Sequence, residues 1–365
     1  MSAPKFTTIS IVTSVVLLII GIVIGYFVGA STVAPVTITK TVMVTASPPT
    51  TTATTTPPST TAVYSFKMPT GSPTGTYYIA AQAIAAIVSK YNPNIVIVAI
   101  PGGGSVSNSR VVGKGEVPIS FATSMVAYFA YNGKLMFKGE PYPDLRAVGP
   151  IHPLIVGFIA RADSDIKTIY DLAGKRVAIG EPGSGDAVVA ELMLKAAGVW
   201  DKVIKVHVGD PESWDMLKTG QVDACVHHTI APNPHLYQRS LTTPLTLIEI
   251  PDEVAEKLIK EYGFFAKAIV KKDTYNGMDR NVKVLKIPSI IIANANAPQD
   301  LVYNFIKTYW EHFDEVVKMA KFLTAVDREN PLAGIAIPLH PGAYKYWTER
   351  GIKIPPQLVP PELKG

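Results

Sequence analysis

Residues 180–185 read Gly-Glu-Pro-Gly-Ser-Gly. Residues 176–179, Arg-Val-Ala-Ile, precede them and read as a short buried strand, and Val188, Val189, Leu192, Met193 and Ala196 follow at helical spacing. Strand, glycine loop and helix together present free backbone N–H groups to a ligand. The first N–H groups of a helix lack internal partners, and the macrodipole favours an anion there. Gly180 and Gly185 also have the spacing of a nucleotide P-loop. That loop needs Lys and then Ser or Thr at the next two positions, for phosphate and magnesium; this chain has Asp186 and Ala187. The loop suits a small carboxylate or another small polar ligand better.

Two further loops share this chemistry. Residues 70–78, Thr-Gly-Ser-Pro-Thr-Gly-Thr-Tyr-Tyr, and 101–107, Pro-Gly-Gly-Gly-Ser-Val-Ser, each separate an expected strand from an expected helix. Thr123 and Ser124 close another strand and carry capping side chains. The pattern recurs at 222–226, followed by His227, His228, Thr229 and the run 231–234, Ala-Pro-Asn-Pro. Such βα units predict α/β architecture with parallel sheets, and ligands in these sheets bind beyond the carboxyl ends of the strands. Every polar loop named here lies at that end. Residues 145–151 and 154–161 lack the pattern and are expected to carry the chain into a second lobe; a strand at 264–271 or 287–294 carries it back. A single helix is expected over 299–320, with Phe305, Tyr309, Phe313 and Val316 on one stripe.

The elements that hold these loops sit in a chain of mixed character. Apolar residues make up 47% and charged residues 17%, as in a folded protein, and the net charge of +5 is spread out. No basic block interleaved with aromatics argues for nucleic acid. Cys225 is the only cysteine, so neither an intrachain disulfide nor a cysteine metal cluster is possible. Residues 9–30 carry no charge and match the length of a bilayer-spanning helix. Lys5 precedes them, which favours residues 1–8 on the cytoplasmic side and the rest outside; a cleaved signal is the alternative. Residues 31–63 are rich in Thr and Pro and read as an extended stalk. The folded part is expected over 64–365, with one lobe from 64–152 plus 272–365 and the other from 153–271.

Several segments resemble the TAXI-type solute receptors of TRAP (tripartite ATP-independent periplasmic) transporters: 70–78, 103–106, 128–133, 180–185, 220–224, 231–234 and 337–343, in the family's order. The resemblance implies a periplasmic-binding-protein-like fold (type II) of two α/β lobes with a ligand cleft. It implies a receptor without enzymatic activity, cofactor or metal, which hands a small carboxylate such as glutamate or 2-oxoglutarate to a TRAP-type membrane permease. The family's ligand-facing segments fall on Thr70, Gly71, Ser72, Thr74, Gly75 and Tyr77, on Ser105, Thr123, Ser124, Ser184 and Gly185, and on Thr229 and Asn233. Two departures concern chemistry. Asp186 stands where the family commonly has Thr or Ser, and Ser72-Pro73 stands where it usually has a second glycine pair. Asp186 either meets a ligand ammonium or merely complements its helix dipole. His228 either touches the ligand or does not; adjacent His227 and His228 point to opposite strand faces and make a poor metal pair.

Two other functions fit the same architecture. An enzyme would need a nucleophile and base, yet Ser72, Ser105 and Ser184 have no partner evident in sequence, and 183–185 is not a G-x-S-x-G elbow. A sensory ectodomain would need a separate output partner. Arg146 and Arg161, candidates for a carboxylate clamp, read better as structural ion-pair residues.

Overall fold

The computed structural model describes residues 62–73, 75–182 and 184–364. The expected membrane span 9–30, most of the stalk and Thr74 lie outside the described residues. Among those described, no helix is long and apolar enough to cross a membrane.

Among the described residues, ten strands run in chain order: β1 (Tyr64–Pro69), β2 (Ile95–Ile100), β3 (Ile119–Thr123), β4 (Leu145–Arg161), β5 (Arg176–Ala178), β6 (Ile204–Val206), β7 (Ala224–Thr229), β8 (Leu245–Leu247), β9 (Ala266–Val270) and β10 (Val282–Asn294). β1 and β2 pair in parallel as a separate two-stranded sheet. The others form one eight-stranded sheet of order β3-β10-β4-β7-β5-β6, with β8 on β4 and β9 on β10.

The sheet is mixed rather than parallel, because two long antiparallel strands run through both lobes. β4 takes up both stretches expected as separate strands, and it pairs with β10 from Leu285↔Val156 to Asn294↔Leu145. β3 pairs with the last part of β10, while β7 and β8 pair with the last part of β4. The crossing falls where Pro153 faces Pro288 and His152 faces Ser289. Proline donates no ladder hydrogen bond, and a register shift follows Ser289. The middle of the strand pair is therefore its weakest part, which suits a pivot.

The return to the first lobe lies within β10, not after residue 271. Tyr275, Met278, Val282 and Val284 share a core with Trp214, Leu217 and Leu236 of the second lobe. In the first lobe, helices Gln299–Glu311 and Pro341–Glu349 pack Trp310 against Trp347 at 5.0 Å. Trp347 Nε1–H donates to the Val148 carbonyl at 2.8 Å. The expected helix 299–320 is two helices, Gln299–Glu311 and Phe313–Met319, broken at His312 (φ −107°, ψ 22°). Phe305, Tyr309, Phe313 and Val316 are all buried, as the stripe requires.

Candidate functional site

The carboxyl ends of β1, β2, β3, β5 and β7 face one another across a cleft of about 480 Å³. Three helices begin on its wall: Thr76–Tyr91, Gly104–Gly113 and Gly185–Ala196. No side chain caps the first two. The Gly104 N–H is taken by the Thr70 carbonyl at 3.0 Å; the N–H groups that follow in the first turns have no partner within the helix, which leaves them open to an anion. The third is capped by Ser184, whose Oγ accepts from Ala187 N–H at 3.1 Å.

Of the expected ligand-facing residues, Gly71, Ser72, Gly75, Tyr77, Ser105 and Thr123 line the first-lobe wall. Ser184, Gly185, Asp186, His228 and Thr229 line the other. Three described residues fall elsewhere. Thr70 is buried, and its hydroxyl donates to the Ile100 carbonyl at 2.9 Å. Ser124 is also buried and donates to the Gly334 carbonyl at 2.7 Å. Asn233 caps helix Pro234–Thr242, accepting from Leu236 N–H at 2.9 Å, and lines a neighbouring chamber instead. Each of these three side chains meets a local backbone demand.

The loop glycines allow close approach. A Cβ on Gly102 would sit 2.9 Å from the Thr70 nitrogen, within the stacked loops that follow β1 and β2. Gly180 has φ +92°, and a Cβ there would meet the Asp186 Cβ at 2.7 Å. Only glycine lets that turn fold over the start of its helix.

Tyr77 ties the cleft to the pivot. Its hydroxyl bonds Ser105 Oγ at 3.2 Å and Ser289 Oγ of β10 at 3.1 Å. Burial pushes this phenol up to about 12, so it stays neutral. Ser105 Oγ also accepts from Thr123 N–H at 3.1 Å.

The charges are one-sided. Among the described lining residues of the cleft, Glu181 and Asp186 are carboxylates and none is Lys or Arg. Arg146 is buried against Glu362, and Arg161 pairs with Asp163 at 3.1 Å; neither lines the cleft. Asp186 Oδ1 accepts from His228 Nδ1 at 3.0 Å, since a carboxylate can only accept. His228 is therefore placed on the cleft by Asp186.

A chamber of about 330 Å³ continues into the second lobe and shares Asp186, His228 and Thr229 with the cleft. Trp214, His227 and the ion pair Arg239–Asp210 also line it. Burial pushes the His227 imidazole down to about 4, so it is neutral at pH 7. Sequence reasoning missed this chamber, since its walls come from distant segments with no shared motif. Among the described residues, no group of three His, Cys, Asp or Glu side chains could hold a metal.

The model of the NMT1-like family matches residues 68–351. Three solved structures are similar to this chain. MatC from Rhodopseudomonas palustris, with bound malate, is 15% identical; the match covers 79% of this chain and 96% of that one, with a TM-score of 0.50. The alkanesulfonate-binding protein SsuA from Xanthomonas axonopodis pv. citri, bound to MOPS, is 15% identical over 81% of this chain and 96% of that one, at a TM-score of 0.45. The periplasmic aliphatic sulphonate binding protein SsuA from Escherichia coli is 12% identical over 78% of each chain, at 0.44. The architecture is the two-lobed, mixed α/β arrangement of periplasmic-binding-protein-like folds.

Proposed function

The chain belongs to the NMT1-like family, and from that premise we propose that it is the extracytoplasmic solute-binding subunit of a TRAP transporter, of the TAXI type. It captures a small carboxylate, in the class of glutamate and 2-oxoglutarate, between its lobes and delivers it to a membrane permease. Residues 9–30 hold it to the outer face of the membrane in this reading.

One observation carries it. The uncapped starts of helices Thr76–Tyr91 and Gly104–Gly113 meet Ser184, Gly185 and Thr229 across one cleft, with no arginine or lysine among its described lining residues. Backbone N–H groups and hydroxyls then hold the carboxylate. Hydrogen bonds to a charged group contribute about 1.5–3 kcal/mol each. Micromolar affinity requires about −8 kcal/mol, so a few such bonds suffice after the costs of association. A ligand touching both walls binds the closed form better and shifts the lobes toward it. A carboxylate at Asp186 favours a ligand that also carries an ammonium.

A binding role is favoured over catalysis by His228. It is oriented by Asp186, yet its Nε2 is buried and bonds no hydroxyl among the described residues. A hydrolytic dyad needs that nitrogen on a nucleophile. Calorimetric titration with glutamate, 2-oxoglutarate, succinate and a set of neutral and basic amino acids tests the proposal. Saturable binding of one of them, weakened by Ser105→Tyr in the cleft wall, is expected. Absence of binding to every carboxylate and amino acid would overturn it.

A further inference from the structure

The chamber behind His228 is not needed by a five-carbon diacid. The cleft alone has the volume of a small-molecule site, and the chamber adds another space of about 330 Å³, within the range of about 300–1,000 Å³ typical of ligand pockets. Asp186 and His228 stand at the junction, so anything held in the cleft with a long tail enters past them.

The chamber's charge is unbalanced, with the carboxylates of Asp186 and Asp210 against the guanidinium of Arg239 among its described lining residues. Arg239, the one Lys or Arg among the described lining residues, pairs with Asp210 and lies over the Trp214 ring at 5.6 Å. The Asn233 amide is used at both ends: Nδ2–H donates to Thr229 Oγ1 at 3.1 Å, and Oδ1 accepts from Leu236 N–H. The Cys225 thiol donates to the Ser213 carbonyl at 3.1 Å. Donors remain open on Arg239, Ser213 and His235, but the two carboxylates keep open acceptors beside them. Only one oxygen each of Asp186 and Asp210 is engaged by a side chain. His228 spends its Nδ1–H on Asp186, so its Nε2 can accept, and that nitrogen has no partner. The Nε2 of His227 is also buried and unpartnered.

We propose that the chamber is a side-chain subsite, and that the solute is an α-amino acid whose long side chain ends in a cationic, donor-bearing group, an amine or a guanidinium. The proposal rests on the solute-binding reading above, keeps its cleft and its captured α-carboxylate, and puts a basic amino acid in place of glutamate and 2-oxoglutarate as the solute. The α-carboxylate sits at the open helix starts, the α-ammonium faces Asp186, and the tail passes His228 to the Asp210 carboxylate and the free acceptors. A ligand with a second carboxylate would bring like charge to Asp186 and Asp210, with Arg239 already neutralised.

The test is calorimetric titration of the full chain with arginine, lysine and ornithine, against norleucine, alanine, glutamate and 2-oxoglutarate. Norleucine has the four-carbon chain of lysine without the terminal ammonium. At least one basic amino acid is expected to bind tenfold or more tightly than both norleucine and alanine. Ser213→Phe, which puts a ring into the chamber, is expected to erase that ratio; Asp210→Asn, a milder change, is expected to lower it. Alanine binding as tightly as the basic amino acids would overturn the subsite and leave the solute-binding reading intact. So would glutamate or 2-oxoglutarate binding tighter than every basic amino acid. Failure of every ligand to bind would overturn the solute-binding reading itself.

Discussion

At the scale of single residues, Asp186 has two possible duties that one substitution separates. If it meets a ligand ammonium, Asp186→Asn removes a charge-assisted hydrogen bond of about 1.5–3 kcal/mol. The preference for glutamate over 2-oxoglutarate should then fall about tenfold or more in a titration. An unchanged ratio would leave Asp186 with the helix dipole alone, an interaction of roughly 0.3–1 kcal/mol. Three buried histidines make a separate prediction. Burial is the main cause that pushes His152, His227 and His340 each down to about 4. The folded state thus holds them neutral while the unfolded chain protonates them below about 6.5. Their contribution is fully present above pH 6.5 and is lost as pH falls toward 4. Between pH 7 and 5 each should cost on the order of 1–2 kcal/mol. Denaturant midpoints at the two pH values check this, and His227→Gln should reduce the difference. An unchanged midpoint would show that these imidazoles gain a proton without unfolding cost.

At the scale of elements, the cleft is a set of helix starts, and caps and tight turns hold them. Thr123 Oγ1 accepts from Val126 N–H at 3.2 Å, as Ser184 does for Ala187. Thr123→Ala and Ser184→Ala should each destabilise by about 1 kcal/mol, or about 2 °C in a domain of this size. Gly180→Ala should cost more and weaken ligand binding as well, because it strains φ +92° and pushes on Asp186. A Gly180→Ala protein with unaltered stability and affinity would contradict the loop geometry. These elements were legible in the sequence because glycine next to Ser or Thr, between an apolar run and a helical stripe, marks a strand-to-helix turn. β4 was less legible. Pro150 and Pro153 look like breaks, and only pairing with β10 shows that they mark the crossing between lobes. Thr70, Ser124 and Asn233 share the side-chain chemistry of their neighbours, but their direction depends on which carbonyls and N–H groups tertiary structure leaves needing partners. The chamber was hidden for a similar reason: Trp214, His227 and Arg239 meet only after the second lobe folds.

At the scale of the whole molecule, two lobes share one pair of long strands, and the site lies between them beside the pivot. Tyr77 connects the two, through Ser105 in the cleft and Ser289 on β10. Closure around a ligand should therefore lower the radius of gyration in solution scattering. Tyr77→Phe, which removes both hydroxyl contacts at about 1 kcal/mol each, should weaken affinity and stability together. Binding of a small carboxylate or amino acid in the cleft is read by thermal unfolding against a ligand panel. Glutamate, glutamine, 2-oxoglutarate, succinate, lysine and arginine form the panel. At about 100 times Kd, a specific ligand adds roughly 2.7 kcal/mol to stability, which raises the midpoint by several degrees. Such a rise is expected for at least one member, and its loss in Ser105→Tyr. A flat midpoint across the whole panel, or a rise that Ser105→Tyr leaves intact, would contradict binding in the cleft.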